Sequence, residues 1–107
     1  DQAALAYARA IKLDPGFAEA WFNFAGLLRD QKKTAPAREH LNRAIAIDPS
    51  YADAIYNLAT LEYEALNLRD ARRWWLRYLE LDDHSDWAKK ATRGIAYIDL
   101  ELRKSAG

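Results

Sequence analysis

Apolar side chains recur along this chain at intervals of three and four residues, the spacing that aligns them on one face of an α-helix. One such stripe consists of Trp21, Phe24, Ala25 and Leu28. A second stripe has the same internal spacing and consists of Ile55, Leu58, Ala59 and Glu62, where only the last position is polar. The two stripes are 34 residues apart, so the chain contains a repeat whose unit is helical.

Proline and aspartate interrupt the helical pattern at the same interval. Asp14-Pro15 and Asp48-Pro49 are 34 residues apart, and Asp82-Asp83 follows at the next interval. Because proline ends a preceding helix and disfavours helical backbone at the residue before it, we expect a turn at each point. The sequence predicts six helices, over residues 2–13, 17–31, 35–47, 51–65, 69–81 and 85–104.

Two of these helices begin at residues typical of N-caps. Thr34 is the predicted N-cap of the third helix, with Pro36 in the first turn, where its missing N–H costs nothing. Ser85 is the predicted N-cap of the last helix, and Asp86 is favourable beside the positive end of the helix dipole.

A period of 34 residues is typical of stacked helical hairpins, each of which buries its apolar face only against its neighbours. Small residues at matching positions allow close approach within a hairpin: Ala25, Ala37, Ala59 and Ala71. With a large apolar residue or Trp first and Ala, an aromatic residue, Ala and Pro later, the sequence resembles the tetratricopeptide repeat family. The resemblance implies an all-α, right-handed α-solenoid of antiparallel helix hairpins with a C-terminal capping helix.

The resemblance also divides the chain. Residues 1–16 resemble the second helix of a truncated repeat, residues 17–50 and 51–84 two full repeats, and residues 85–107 a capping helix and tail. The chain contains no Met, and the run from Trp75 to Asp82 is similar to endings of bacterial repeat proteins. We therefore expect the C-terminal segment of a longer, bacterial protein.

The last helix departs from the repeat, because Lys89 and Arg93 stand at positions that the repeat would bury. A terminal helix needs a single apolar face, and the predicted one consists of Trp87, Ala91, Ile95, Ile98 and Leu102. Gly94 is the predicted small residue that makes room for the ring of Trp75 or Tyr78.

Composition argues against several functions. Sixteen basic residues balance sixteen acidic ones, which removes the electrostatic case for binding nucleic acid or a membrane surface. His40 and His84 have no partner spaced for catalysis, and no glycine-rich phosphate loop occurs. We expect no enzymatic activity, cofactor or metal, and the acidic cluster around Asp82 is interpreted as a helix-junction cap. The sequence indicates no compartment, and the cytoplasm is taken as the default.

The family resemblance implies that the first helix of each repeat lines a concave groove for peptides. Seven residues are predicted to contact a peptide there: Phe22, Asn23, Arg29, Tyr56, Asn57, Tyr63 and Lys90. Aromatic rings with amides beside them combine rigid apolar area with hydrogen bonds, as binding surfaces do. One subfamily clamps the C-terminal carboxylate of chaperone peptides, but Phe22, Gly26, Trp87 and Ala91 replace four of its polar ligands, so we expect no clamp.

The sequence therefore predicts a module that binds a peptide or protein segment in its concave groove, as part of a larger protein. One alternative is a structural or oligomerisation role through the first helix, whose Leu5 and Ile11 have no covering helix and invite self-association. Another is a regulatory domain fused to a DNA-binding or enzymatic domain.

Overall fold

The computed structural model describes residues 1–106, which form six helices and no strand. The helices are α1 (Gln2–Leu13), α2 (Ala18–Asp30), α3 (Thr34–Ile47), α4 (Ala52–Glu64), α5 (Leu68–Leu81) and α6 (Asp86–Ala106). Every predicted boundary lies within two residues of the observed one. None of the helices within residues 1–106 has the length and apolar character that a membrane span requires.

The chain divides into two compact units, which we call the N-terminal unit (Asp1–Ala54) and the C-terminal unit (from Ile55 onward). In the N-terminal unit, α2 packs against both α1 and α3. Its fully buried side chains come from α2 and α3: Ala20, Ala25, Leu28, Ala37, Leu41 and Ala44. Helix α1 contributes none, so the core of this unit is the α2–α3 hairpin.

In the C-terminal unit, α5 packs against α6. The core includes Ile55, Leu58, Ala59 and Leu61 of α4, Ala71, Trp75 and Tyr78 of α5, and Ala88, Ala91 and Ile98 of α6. The prediction for Gly94 is confirmed for one of the two rings, because a Cβ on Gly94 would lie 2.5 Å from the Trp75 ring.

The predicted core position of Trp87 is wrong. Trp87 is 54% exposed, and the neighbouring Ala88 is buried in its place. The small Ala88 lies on the same helix face as Ala91 and Ile98, one residue and therefore about 100° around the helix from Trp87. The remaining members of the stripe, Ile95 and Leu102, are half-buried as the pattern requires.

The turns after α2 and α4 have the same backbone geometry. Lys32 and Leu66, at equivalent positions of the repeat, have φ angles of 63° and 65°, in the left-handed region that glycine adopts most easily. The Asn67 N–H donates to the Glu62 carbonyl at 2.8 Å, and the first turn has the equivalent bond. This is the Schellman arrangement, which satisfies a carbonyl at the helix end.

The start of α3 also differs from the prediction. Lys33, not Thr34, is the N-cap, and its side chain makes no capping bond. The reason is that the Lys33 N–H already closes the turn on the Leu28 carbonyl at 2.9 Å, so α3 follows directly at Thr34. The predicted cap of α6 is confirmed, because the Ala88 N–H donates to the Ser85 hydroxyl at 3.1 Å.

Candidate binding surfaces

An open cleft of about 300 Å³ lies between α1 and α2 in the N-terminal unit. Two residues of the predicted peptide site, Phe22 and Asn23, line it with Gly26 and Asp30 of the same helix. Tyr7 of α1 forms part of the opposite side. The sequence analysis missed Tyr7 because it assigned α1 to the covered side of a missing repeat, although Tyr7 is the one aromatic residue of that helix.

The ring of Phe22 has a second aromatic neighbour, Tyr51, at a centroid distance of 5.1 Å. Burial raises the pKa of the Tyr51 hydroxyl, and the charges of Glu19, Asp53 and Asp48 raise it further. The surroundings of this ring pair are therefore acidic, which disfavours an anionic ligand at this position of the N-terminal unit.

Arg29 lies apart from these residues. It is in the last turn of α2, is partly exposed, and is not among the residues that line the cleft. A basic residue there is favourable at the negative end of the helix dipole, so a role in stabilising α2 accounts for its position.

The aromatic residues on the α2–α3 side of the N-terminal unit stabilise the hairpin. The Trp21 indole N–H donates to the Pro15 carbonyl at 2.9 Å. The His40 ring lies 5.2 Å from the Trp21 ring and 4.8 Å from the Phe24 ring. His40 Nδ1 is 2.8 Å from the Pro36 carbonyl, so this nitrogen donates to the helix backbone and is engaged in structure.

A chain of aromatic rings runs through the C-terminal unit. Tyr56 of α4 lies 5.2 Å from Tyr78 and 5.1 Å from Trp87, both edge to face. Tyr63, two turns further along α4, lies 5.5 Å from Trp75 and 6.1 Å from Tyr97. Edge-to-face pairs at these distances stabilise one another beyond their burial, so the rings are held in place before any ligand arrives.

The outer members of this ring chain are open to solvent. Trp87 is 54% exposed and Tyr97 is 50% exposed. The Lys90 ammonium lies 4.5 Å from the centroid of the Trp87 ring, within cation–π distance. Three residues predicted from the sequence, Tyr56, Tyr63 and Lys90, are thus brought onto one aromatic surface, which we call the aromatic face: Tyr56, Tyr63, Trp87, Lys90 and Tyr97.

Asn57, the remaining predicted residue, is half-buried next to Tyr56 on α4. Burial raises the pKa of the Tyr56 hydroxyl, and the positive charge of Arg93 opposes that shift. Arg93 is therefore close enough for its charge to act on the aromatic face. Neither Lys90 nor Arg93 has a carboxylate partner in the part of the chain that the structure describes.

The basic residues of α5 are, by contrast, paired. Arg72 contacts Asp99 of α6 at 2.6 Å, and Arg73 contacts Asp70 at 3.4 Å. Trp74 is half-buried, and the Arg73 guanidinium lies 5.6 Å from its ring centroid. These pairs neutralise much of the positive charge on α5.

The acidic cluster between α5 and α6 acts as a helix junction. The Asp82 carboxylate accepts hydrogen bonds from the Tyr78 hydroxyl at 2.7 Å, from the Ser85 hydroxyl, and from the Ser85 N–H at 3.2 Å. The Ser85 and Tyr78 hydroxyls hold the pKa of Asp82 well below its usual range. The adjacent Asp83 raises the pKa of His84, with a further contribution from Asp82. Within residues 1–106, no group of three or more His, Cys, Asp or Glu side chains is placed to hold a metal ion.

Comparison with known families identifies the repeat. Residues 18–51 match the tetratricopeptide repeat model. This segment is a tetratricopeptide repeat. No curated protein sequence matches the chain significantly.

Solved tetratricopeptide repeat (TPR) structures share the fold over nearly the whole chain. The first TPR of Spaghetti (RPAP3), bound to the HSP90 peptide SRMEEVD, superposes with a TM-score of 0.83 at 25% identity, covering 94% of this chain and 77% of that one. The TPR2B domain of yeast Sti1, in a complex with pHsp70, gives 0.81 at 21% identity, covering 92% and 81%. The Sgt2 TPR domain from Aspergillus fumigatus gives 0.80 at 18% identity, covering 96% and 68%. The predicted fold class, an all-α helical-repeat solenoid, is confirmed.

The positions expected for a carboxylate clamp in a TPR domain carry other contacts here. Phe22 packs on Tyr51, Trp87 packs on Tyr56, and Ala91 is fully buried. The sequence identified most residues of the aromatic face, but it assigned Trp87 to the core. The available signal was Lys90, because Trp87 and Lys90 are three residues apart and therefore share a helix face.

Proposed function

We propose that this chain is a protein-interaction module that binds a peptide segment through the side chains of its first helices. The observation that carries the proposal is the aromatic face of the C-terminal unit, where Trp87 and Tyr97 are about half exposed although both rings have aromatic partners. The TPR of Spaghetti with its HSP90 peptide and TPR2B of Sti1 with pHsp70 support a peptide ligand by analogy.

The aromatic face has the physical properties of a binding hot spot. Trp and Tyr supply large rigid contact areas, and their truncation dominates many interfaces. Because Tyr56 is held by Tyr78 and Trp87, binding would immobilise few additional rotamers, which lowers the entropic cost of association. An exposed cluster of this kind on a small domain is a typical mark of an interaction surface.

The cleft of the N-terminal unit is proposed as a second contact. Its volume of about 300 Å³ is at the lower end of the range of ligand pockets and suits a single side chain. Phe22 and Tyr7 offer apolar walls, while the Asn23 amide can donate to and accept from a peptide backbone. Arg29 stays in the predicted peptide site without a cleft contact to support it.

The proposal is tested with a phage library of random dodecapeptides selected on the intact chain. We expect enriched peptides to bind, and Phe22→Ala combined with Tyr56→Ala to abolish binding while the circular dichroism spectrum stays helical. Phe17→Ala is the matched control, since Phe17 is 44% exposed and lies outside both surfaces. A selection that enriches no peptide, or peptides that the double variant still binds, would contradict the proposed function.

A second candidate function is self-association through α1. Leu5 is 66% exposed and Leu13 is 80% exposed, and α1 has no buried residue. An uncovered apolar helix face on a small domain promotes association. Sedimentation of the wild type against a Leu5→Glu, Leu13→Glu variant tests this: we expect a concentration-dependent dimer that the variant lacks, and a strictly monomeric wild type at high concentration would contradict it.

A further inference from the structure

We propose that the C-terminal unit selects acidic peptide segments, and that it does so through side-chain carboxylates of the ligand instead of its C-terminal carboxylate. This inference rests on the proposed function and names the class of peptide that the aromatic face accepts. The residues that would confer the selectivity are Lys90 and Arg93 of α6, together with Trp87 and Tyr56.

The spacing on α6 separates two faces of the same helix. Ala88, Ala91 and Ile98 are buried in the core. The exposed residues on the opposite side, which we call the α6 stripe, follow one another at intervals of three or four: Trp87, Lys90, Arg93, Tyr97 and Leu100. Residues at these intervals are neighbours on a helix surface. The stripe therefore presents two cations between aromatic and apolar side chains.

The cations of the stripe differ from the other basic residues of the C-terminal unit. Lys89 lies 3.8 Å from Asp86, and Lys104 lies 3.3 Å from Glu101. Lys90 and Arg93 have no such partner within residues 1–106. Their charges are uncompensated next to rings that exclude water on one side, so a carboxylate brought there gains more than at an ordinary exposed site.

The aromatic rings determine what must accompany the negative charges. Trp87 is half exposed and lies edge to face with Tyr56 at 5.1 Å, which leaves apolar area beside the Lys90 ammonium. An apolar ligand side chain can cover this area while flanking carboxylates reach Lys90 and Arg93. The matching ligand is thus a segment that alternates acidic with apolar residues, and a free C-terminus is not required.

Nucleic acid is the competing ligand, since cations between aromatic rings also suit phosphates and bases. The balance of sixteen basic and sixteen acidic residues in the chain provides no general attraction for a polyanion. The local surplus of two cations matches a short acidic segment better, and an oligonucleotide therefore serves as a test of the inference.

The experiment uses the intact chain and peptides enriched from the random dodecapeptide library. We expect acidic–apolar peptides that bind equally well with free and amidated C-termini and more weakly as salt increases. Lys90→Gln with Arg93→Gln should weaken binding about fivefold, as expected for the loss of two partly exposed charge pairs. Lys89→Gln is the matched control, because it removes one neighbouring charge that already faces Asp86.

The outcomes separate this inference from the proposed function. Peptides that require Phe22 and Tyr56 but are neutral or basic would overturn the acidic selectivity and leave the proposed function intact. Loss of binding on amidation would overturn it in favour of carboxylate capture. Tighter binding of a thymidine 15-mer than of any enriched peptide, lost in the Lys90→Gln, Arg93→Gln variant, would overturn it in favour of nucleic acid.

Discussion

The ring of Trp75 lies directly against the backbone of Gly94, leaving no room for a side chain: a Cβ there would be 2.5–2.9 Å from three ring atoms. Trp75 is buried and has aromatic neighbours in Tyr56 and Tyr63, so its ring has little freedom to move away. The contact between α5 and α6 therefore depends on a glycine in the middle of a helix.

We predict that Gly94→Ala destabilises the protein by about 1–3 kcal/mol, the usual cost of overpacking, although alanine is the better helix former. The matched control is Gly26→Ala, since a Cβ on Gly26 would meet nothing within 4 Å. That change should stabilise the protein by about 0.5–1 kcal/mol through helix propensity alone. Urea unfolding measures both, and equal effects of the two changes would contradict the prediction.

Glu62 and Asn67 form a polar pair that only the C-terminal unit contains. Glu62 is 5% exposed, and the Asn67 side-chain amide donates to its carboxylate at 3.0 Å. We predict that Asn67→Ala destabilises the protein by about 1–3 kcal/mol, because a buried carboxylate loses a donor. Thermal and urea unfolding would measure the loss.

The other repeat suggests the control for this pair. Leu28 and Lys33 stand at the positions of Glu62 and Asn67. Exchanging both residues together, Glu62→Leu with Asn67→Lys, removes the buried charge and its partner at once, which is often neutral or stabilising. We expect the double variant to be more stable than Asn67→Ala, and the reverse order would show that the pair is not what Asn67 contributes.

Leu66 is predicted to be replaceable by glycine with a gain in stability. Its φ of 65° is unfavourable for a residue with a Cβ, and its side chain is 80% exposed, so little burial is lost. Leu66→Gly should stabilise the protein by about 0.5 kcal/mol, after subtracting the greater entropy of glycine in the unfolded chain. Leu66→Ala keeps the strain and serves as the comparison; a glycine variant less stable than the alanine variant would refute the idea.

Acid sensitivity should follow from Asp82. Its pKa is lowered in the folded state from an ordinary value of 3.8. A lowered folded pKa adds stability that is fully present above the unfolded pKa and is lost as pH falls through the folded one. We therefore expect the wild type to lose stability below about pH 4. Asp82→Asn should be less stable at pH 7 and show a flatter decline in acid, measured by urea unfolding at a series of pH values. An unchanged acid profile would contradict the role of Asp82.

The candidate site was predictable only in part. The repeat register identified Tyr56, Tyr63 and Lys90, because residues at equivalent positions of a repeat share a helix face. Trp87 was assigned to the wrong face, since burial on a terminal helix depends on whether Trp87 or the neighbouring Ala88 fits against α5. Tyr7 was missed because its contact with the cleft comes from a different helix, and no periodicity within one helix reports such a neighbour.

By itself, the sequence determined the six helices, their boundaries within two residues and the period of the repeat. These properties are local: apolar spacing and Asp-Pro pairs act within a few residues along the chain. Only the tertiary structure decided that Lys33 takes the capping position, that Glu62 pairs with Asn67, and that Lys90 and Arg93 stay without carboxylate partners on α6. Those outcomes depend on how helices pack and which charges meet, because side-chain partners are set by distances in space.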